Sequence, residues 1–213
     1  MKIQLALDRL SIDEAIKIAG QAEQYIDIIE VGTSLIKEFG VVSISRLKKA
    51  FPDKLILADM KTIDNAQYEF SLCFEAGADI ATVMGVSPLQ TIETCLEAAA
   101  KHQKKTMIDL LNTTAEQKAA LFPYTEAIFC DHVSKDVQEK SGLKNTASAA
   151  FDPTLEWAIA GGITGESIQN MAGPLPDIVI IGSAITKSTQ PEKAAEALRE
   201  IIERKKAKSN EPA

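Results

Sequence analysis

Two hydrophobic periodicities alternate along this chain from one end to the other, and few architectures accept that order. Short apolar runs fall at 3–7, 26–31, 55–58, 80–84, 106–110, 127–130, 155–160 and 178–181. Helical patterns fill the intervals at 11–24, 34–50, 65–76, 88–102, 114–121, 135–150, 164–171 and 191–205. Runs so short and so continuously apolar are those of strands buried on both faces. Eight strand–helix pairs within 213 residues predict one closed (β/α)8 barrel over 1–205, with 206–213 as a polar tail that frays. The rival is a doubly wound open sheet. It needs a glycine-rich turn after the first strand, and Leu7-Asp8-Arg9-Leu10-Ser11 contains no glycine. Local signals agree: Ser11 with Glu14 and Thr114 with Gln117 form capping boxes, and Gly77 closes the third helix.

The formal charge of −7, with no Lys/Arg cluster before Arg204-Lys205-Lys206, excludes a nucleic-acid footprint. It does not exclude a small anionic substrate, because backbone N–H groups hold phosphate without net positive charge. Three cysteines, Cys73, Cys95 and Cys130, are odd in number and lack CxxC spacing, as expected of reduced structural thiols. No signal-peptide pattern and no apolar run of membrane length occur, so a cytoplasmic location is expected.

Catalytic groups in such barrels gather at the carboxyl ends of the strands. Those ends carry Asp8, Glu30, Asp59 with Lys61, Asp109 and His132. Within Ala58-Asp59-Met60-Lys61-Thr62-Ile63-Asp64, alternation points Asp59 and Lys61 the same way, and Asp64 lies just beyond. Flanking carboxylates keep Lys61 charged, which suits stabilisation of an enolate oxygen. As a solvated turn the same charges would be worth little. Acids converging on a barrel mouth repel one another and require cations. Lys61 supplies one; Mg²⁺ is the natural second, with Glu30 and Asp59 as candidate ligands. Of the two histidines, His102 lies in a polar segment and is expected at the surface. His132 follows the sixth strand, where an imidazole can give and take a proton. Gly161-Gly162 follows the seventh strand and Gly182-Ser183 the eighth, the pair of loops where such barrels bind phosphate.

Together these residues resemble the hexulose-6-phosphate synthase and 3-keto-L-gulonate-6-phosphate decarboxylase group, within the orotidine-phosphate-decarboxylase-like barrels. The likeness spans nearly the whole chain. Its carriers are Gln4-Leu5-Ala6-Leu7-Asp8, Ile28-Ile29-Glu30-Val31-Gly32-Thr33, the D-x-K-x-x-D element from Asp59 to Asp64, Glu75-Ala76-Gly77-Ala78-Asp79, and Thr82-Val83-Met84-Gly85. The His132…Asp136…Gln138 spacing, Ala160-Gly161-Gly162-Ile163 and Ile181-Gly182-Ser183-Ala184-Ile185-Thr186 complete it. The resemblance implies a Mg²⁺-dependent enzyme working through a cis-enediolate of a sugar phosphate. Glu30 and Asp59 would hold the metal, Lys61 stabilise the enediolate, Asp8 orient Lys61 or a substrate hydroxyl, and His132 move the proton. It also implies a homodimer in which Asp64 reaches into the neighbouring subunit's site.

Some positions separate the two activities. Asp109 and the Ile185-Thr186 ending are similar to the synthases, which join formaldehyde to D-ribulose 5-phosphate. Decarboxylases carry an arginine where this chain has Lys135, glutamate at Asp109 and arginine at Ser183. Segment 141–154 is unlike either, and Asn65-Ala66 replaces the usual Ala-Gly. The first expectation is therefore a synthase and the second a decarboxylase. A non-catalytic sugar-phosphate-binding barrel is the third. A Schiff base on Lys61 is disfavoured, since the acids raise its pKa where a nucleophilic amine needs it lowered.

Overall fold

The computed structural model describes residues 1–142 and 151–209. Eight parallel strands, β1 (Lys2–Leu7), β2 (Ile28–Val31), β3 (Leu55–Thr62), β4 (Ile80–Met84), β5 (Lys105–Asp109), β6 (Ile128–His132), β7 (Glu156–Ala160) and β8 (Ile178–Ile181), follow one another around a closed barrel. Closure comes from β8 pairing with β1, Gln4 lying opposite Ile180. Around the barrel run α1 (Ile12–Ala22), α2 (Thr33–Phe39), α3 (Val42–Ala50), α4 (Ala66–Glu75), α5 (Leu89–His102), α6 (Ala115–Leu121), α7 (Lys135–Ser141), α8 (Gly165–Asn170), α9 (Ser183–Thr186) and α10 (Pro191–Ser209). Both expected capping boxes form, at Ser11 and Thr114. Past α4, Gly77 N–H donates to the Phe74 carbonyl and Ala78 N–H to that of Cys73.

Alternation along each strand sends every second side chain into the lumen, and neighbouring strands fill it in turn. The lowest row is Ile28, Ile80, Ile128 and Ile178, from the even-numbered strands. Above it come Leu57, Met107 and Ala158 with Gln4, then Glu30, Thr82, Cys130 and Ile180, then Ala6, Asp59, Asp109 and Ala160. Hence the lumen is an apolar plug below and a polar chamber above. The opposite strand faces bury a larger core against the helices, including Ile29, Leu35, Ile56, Phe70, Ile108 and Phe129. Trp157 meets Phe122, Phe129 and Phe151 at ring-centroid separations of 5.5, 5.7 and 5.1 Å. Such contacts contribute about 0.5–1.5 kcal/mol each beyond area burial, which fixes the start of β7.

Where local chemistry overrides periodicity, the elements differ from expectation. The pattern over 34–50 breaks into α2 and α3 because Gly40 takes φ +65° and its N–H caps the Ile36 carbonyl. The third strand continues to Thr62, so Asp59 and Lys61 lie within β3 and not beyond it. Helix α7 stops at Ser141, capped by Gly142, and the rest of the expected 135–150 helix lies outside the described residues. The boundary drawn after 205 is crossed by α10, which runs on to Ser209; 210–213 lie outside the described residues. His102 is not at the open surface: it is half-buried, 5.4 Å from the Phe74 ring, since its helix packs on α4. All three cysteines are free and buried. No described helix is long and apolar enough to cross a membrane.

Candidate active site

The D-x-K-x-x-D element makes the site through an irregularity. Between Ala58 and Thr62 the register of β3 against β4 shifts: Ala58 lies opposite Ala81, and Thr62 already opposite Val83. Lys61 absorbs the extra chain by taking φ +52°. For a side chain with a Cβ the left-handed region costs roughly 1–2 kcal/mol, so something must hold it there. Its N–H donates to Thr82 Oγ1 at 2.8 Å. Asn65 solves a second turn the same way, at φ +56° just before α4, a conformation that asparagine tolerates well.

The Lys61 ammonium is hydrogen-bonded to Asp109 Oδ2 and lies 3.3 Å from Asp59 Oδ1. Burial alone would push this amine down, but the two carboxylates override it and hold the ammonium above its usual range. Asp109 is 3% exposed and serves two masters: its carboxylate also meets His132 Nδ1 at 2.9 Å and accepts the Leu111 N–H at 3.0 Å. Burial favours its neutral form, yet the His132 hydrogen bond and the Lys61 charge hold it well below the usual carboxylate range. An ionised carboxylate only accepts, so His132 donates from Nδ1 and keeps Nε2 for the cavity.

Asp59 Oδ2 accepts from Thr33 Oγ1 at 2.5 Å, and Oδ1 from Thr82 Oγ1 at 2.9 Å. Glu30 accepts from Gln4 Nε2 at 2.5 Å, while Gln4 Oε1 is buried without a partner. Burial, then the neighbouring Asp59 charge, push the Glu30 carboxyl up to about 8. The charge lacking for both carboxylates to ionise is what a bound cation supplies. Among the described residues no cluster of three or more His, Cys, Asp or Glu could hold a metal. Two oxygen donors suit Mg²⁺ nonetheless, since it characteristically takes one or two carboxylates and completes its shell with water and substrate.

These groups line one cavity of about 590 Å³ at the carboxyl ends of the strands, which also includes Gly161, Gly162, Gly182 and Ser183. Gly161 stands at φ +109°, and a Cβ there would lie 2.5 Å from the Val133 carbonyl oxygen, so only glycine lets the β7 loop approach β6. Residues 1–198 match the family described as orotidine 5'-phosphate decarboxylase / HUMPS. The chain belongs to the orotidine 5'-phosphate decarboxylase / HUMPS family. A 3-hexulose-6-phosphate synthase of Mycobacterium gastri is 36% identical over 95% of this chain and 100% of its own. The crystal structure of 3-hexulose-6-phosphate synthase from Salmonella typhimurium superposes with a TM-score of 0.89, at 32% identity over 96% of this chain and 100% of that one. That of 3-keto-L-gulonate-6-phosphate decarboxylase from Vibrio cholerae gives 0.80, at 29% identity over 95% and 97%.

In this member of the family, two residues singled out from the sequence sit differently from the rest. Asp8 lines the cavity, but its hydrogen bonds come from the Ser34 N–H (3.1 Å) and Oγ (2.7 Å) at the start of α2. The carboxylates that anchor Lys61 are those of Asp59 and Asp109, so orientation of Lys61 by Asp8 is corrected to them. Asp64 is exposed and outside the cavity of its own chain. Conversely, the cavity wall includes Arg9, Lys37, Lys135 and Lys187, and of these only Lys135 was noticed in the sequence. Thr33 and Thr82 were missed as carboxylate supports, though each lies next to or opposite an acid-bearing strand end. Gln4 one pleat below Glu30 was the clearest overlooked signal: an amide where alternation demands a lumen residue.

Proposed function

We propose that the protein is a Mg²⁺-dependent lyase of the 3-hexulose-6-phosphate synthase type, joining formaldehyde to D-ribulose 5-phosphate. The observation that carries this is the Lys61–Asp109–His132 chain, with a permanent cation at one end and a proton carrier at the other, beside the Glu30 and Asp59 oxygens. In this scheme His132 Nε2 takes a proton from C1 of the ketose, and the electron pair moves into a C1–C2 enediolate. Lys61 lies ready to hydrogen-bond the oxygen that gains charge. C1 then attacks the formaldehyde carbon, and the new alkoxide recovers its proton from the His132 imidazolium, returning the site to its starting state. Mg²⁺ on Glu30 and Asp59 would add Lewis-acid stabilisation of oxyanion charge, worth several kcal/mol. Phosphate fits the β7 and β8 loops, where Gly161, Gly162, Gly182 and Ser183 present backbone to the cavity.

Decarboxylation of 3-keto-L-gulonate 6-phosphate would use the same enediolate, formed by loss of CO₂. Lys135 favours this second reading, because a cation lines the cavity where decarboxylases carry arginine. Asp109 and Ser183 favour the synthase. A homodimer is part of the proposal: Ile63 and Tyr68, near Asp64 in sequence, are 55% and 63% exposed, and Leu89 at the start of the adjoining α5 is 45% exposed, apolar side chains suited to a second copy.

The test is turnover of each substrate set side by side, with Mg²⁺ and with EDTA. EDTA-sensitive consumption of ribulose 5-phosphate only when formaldehyde is present is the expected result. Turnover of the keto-gulonate phosphate alone would replace the synthase by the decarboxylase. Tight sugar-phosphate binding with no turnover of either would make this a binding barrel. Borohydride trapping of substrate on Lys61 would overturn the role given to its charge.

A further inference from the structure

One buried hydroxyl sits at the centre of the bulge in β3. Thr82 is 3% exposed and stands on β4 between Ala81 and Val83, the two residues opposite the ends of the register shift. Its hydroxyl accepts the Lys61 N–H at 2.8 Å, and therefore its one proton goes to Asp59 Oδ1 at 2.9 Å. The same Asp59 oxygen receives Lys61 Nζ at 3.3 Å. Main chain, hydroxyl, carboxylate and ammonium thus close a ring in which each link sets the direction of the next. Thr33 supports the other Asp59 oxygen, but no described side chain other than Thr82 holds both the Lys61 backbone and Asp59.

We infer that Thr82 is a positioning residue: its hydroxyl locks the left-handed Lys61 backbone to the Asp59 carboxylate, and so sets where the ammonium meets the substrate oxygen. Without that acceptor the Lys61 N–H faces the barrel wall unpaired and its backbone conformation is unsupported. The chain then relaxes towards ordinary strand geometry and carries Nζ with it. Displacement of a reacting group by about 1 Å can cost on the order of 10²-fold in rate, whereas substrate held through its phosphate stays bound. The inference rests on Asp59 and Lys61 being the functional pair.

Thr82→Val keeps the side-chain shape and removes only the hydroxyl. Thr106→Val is the control, a buried threonine on β5 whose hydroxyl contacts the Cys95 carbonyl at 3.5 Å and no site residue. T82V should lower kcat about 10²-fold with KM within about threefold, while T106V stays at wild-type activity and T82S recovers most of the loss. Amide hydrogen exchange at Lys61, followed without substrate or metal, should quicken at least about tenfold in T82V and not in T82S. A T82V enzyme as active as T106V would overturn the positioning role. Unchanged Lys61 exchange would overturn the lock. If wild-type protein turns over neither substrate set, the functional reading fails, and the exchange measurement still decides whether Thr82 holds the backbone. Should T82V fail to fold by circular dichroism, Thr82→Cys is measured and judged by the same outcomes.

Discussion

Replacing Asp109 by Asn keeps size and shape while removing the charge that joins Lys61 to His132. One carboxylate oxygen, Oδ2, takes two charge-assisted hydrogen bonds, from Lys61 and His132, each worth about 1.5–3 kcal/mol, while Oδ1 accepts the Leu111 N–H. Asn has a single accepting oxygen: at the Oδ2 place it turns the NH₂ against the Leu111 N–H, and at the Oδ1 place it turns the NH₂ against both Lys61 and His132. Breaking a buried ionic link in this way costs about 3–5 kcal/mol, which a domain with roughly 5–15 kcal/mol of stability can lose and remain folded. Catalysis suffers differently in the two arrangements. If NH₂ takes the Oδ2 place, the ammonium is pushed away and the ring proton moves to Nε2, the atom that must accept. If it takes the Oδ1 place, both contacts persist, but without the negative charge that holds Lys61 and stabilises the imidazolium, and against the Leu111 N–H. Either should lower kcat by about 10²–10⁴-fold, using the loss seen when a comparable carboxylate is removed behind a catalytic imidazole. Steady-state kinetics with urea melts, and ¹⁵N spectra of the imidazole, measure each part. A folded D109N enzyme with kcat within threefold of wild type would refute the bridge.

Away from the site, Asp79 accepts from Lys104 Nζ (2.6 Å), Lys48 Nζ (2.9 Å) and the Ile56 N–H (2.9 Å). Burial opposes its ionisation, but these partners prevail and depress its folded pKa. Its stabilisation is therefore full above the unfolded value near ~3.9 and is lost as pH falls through the lower folded value. Asp79→Asn should melt at lower urea at pH 7, by about 2–4 kcal/mol, with the gap to wild type closing in strong acid; a gap independent of pH would refute the linkage. Gly161→Ala, forced against the Val133 carbonyl at φ +109°, should raise KM for the sugar phosphate at least about tenfold; an unchanged KM removes that loop from the phosphate site. If Asp64 serves the partner's site, D64A and K61A proteins, each inactive alone, should regain about a quarter of wild-type activity when refolded together, because mixed dimers hold one intact site. No recovery would return Asp64 to an ordinary surface role.

The order of strands and helices was legible because the lumen and the outer core impose two different periods on the chain. Glu30, Asp59, Lys61, Asp109 and His132 were legible for the same reason, as charges where alternation calls for core. Their partners were less so. That Lys61 turns through a left-handed residue onto Thr82 follows from a register shift between β3 and β4, and no single strand contains that information. That Asp8 is held by Ser34 and not by Lys61 was not legible, because a strand-end acid can equally bind the start of the next helix; its carboxylate lines the cavity all the same. The split at Gly40 was readable from the glycine, but periodicity on both sides concealed it.

Cys130 lies in the lumen directly beneath the acids, 3% exposed, and burial keeps its thiol protonated far above the ordinary range. Cys73 and Cys95 are likewise pushed up to about 12. If formaldehyde is the substrate, as proposed, these thiols are poor traps for it, because the thiolate is the form that attacks such an aldehyde. A catalyst working with such a reagent would then keep its three cysteines from becoming side targets for as long as the barrel stays closed around them.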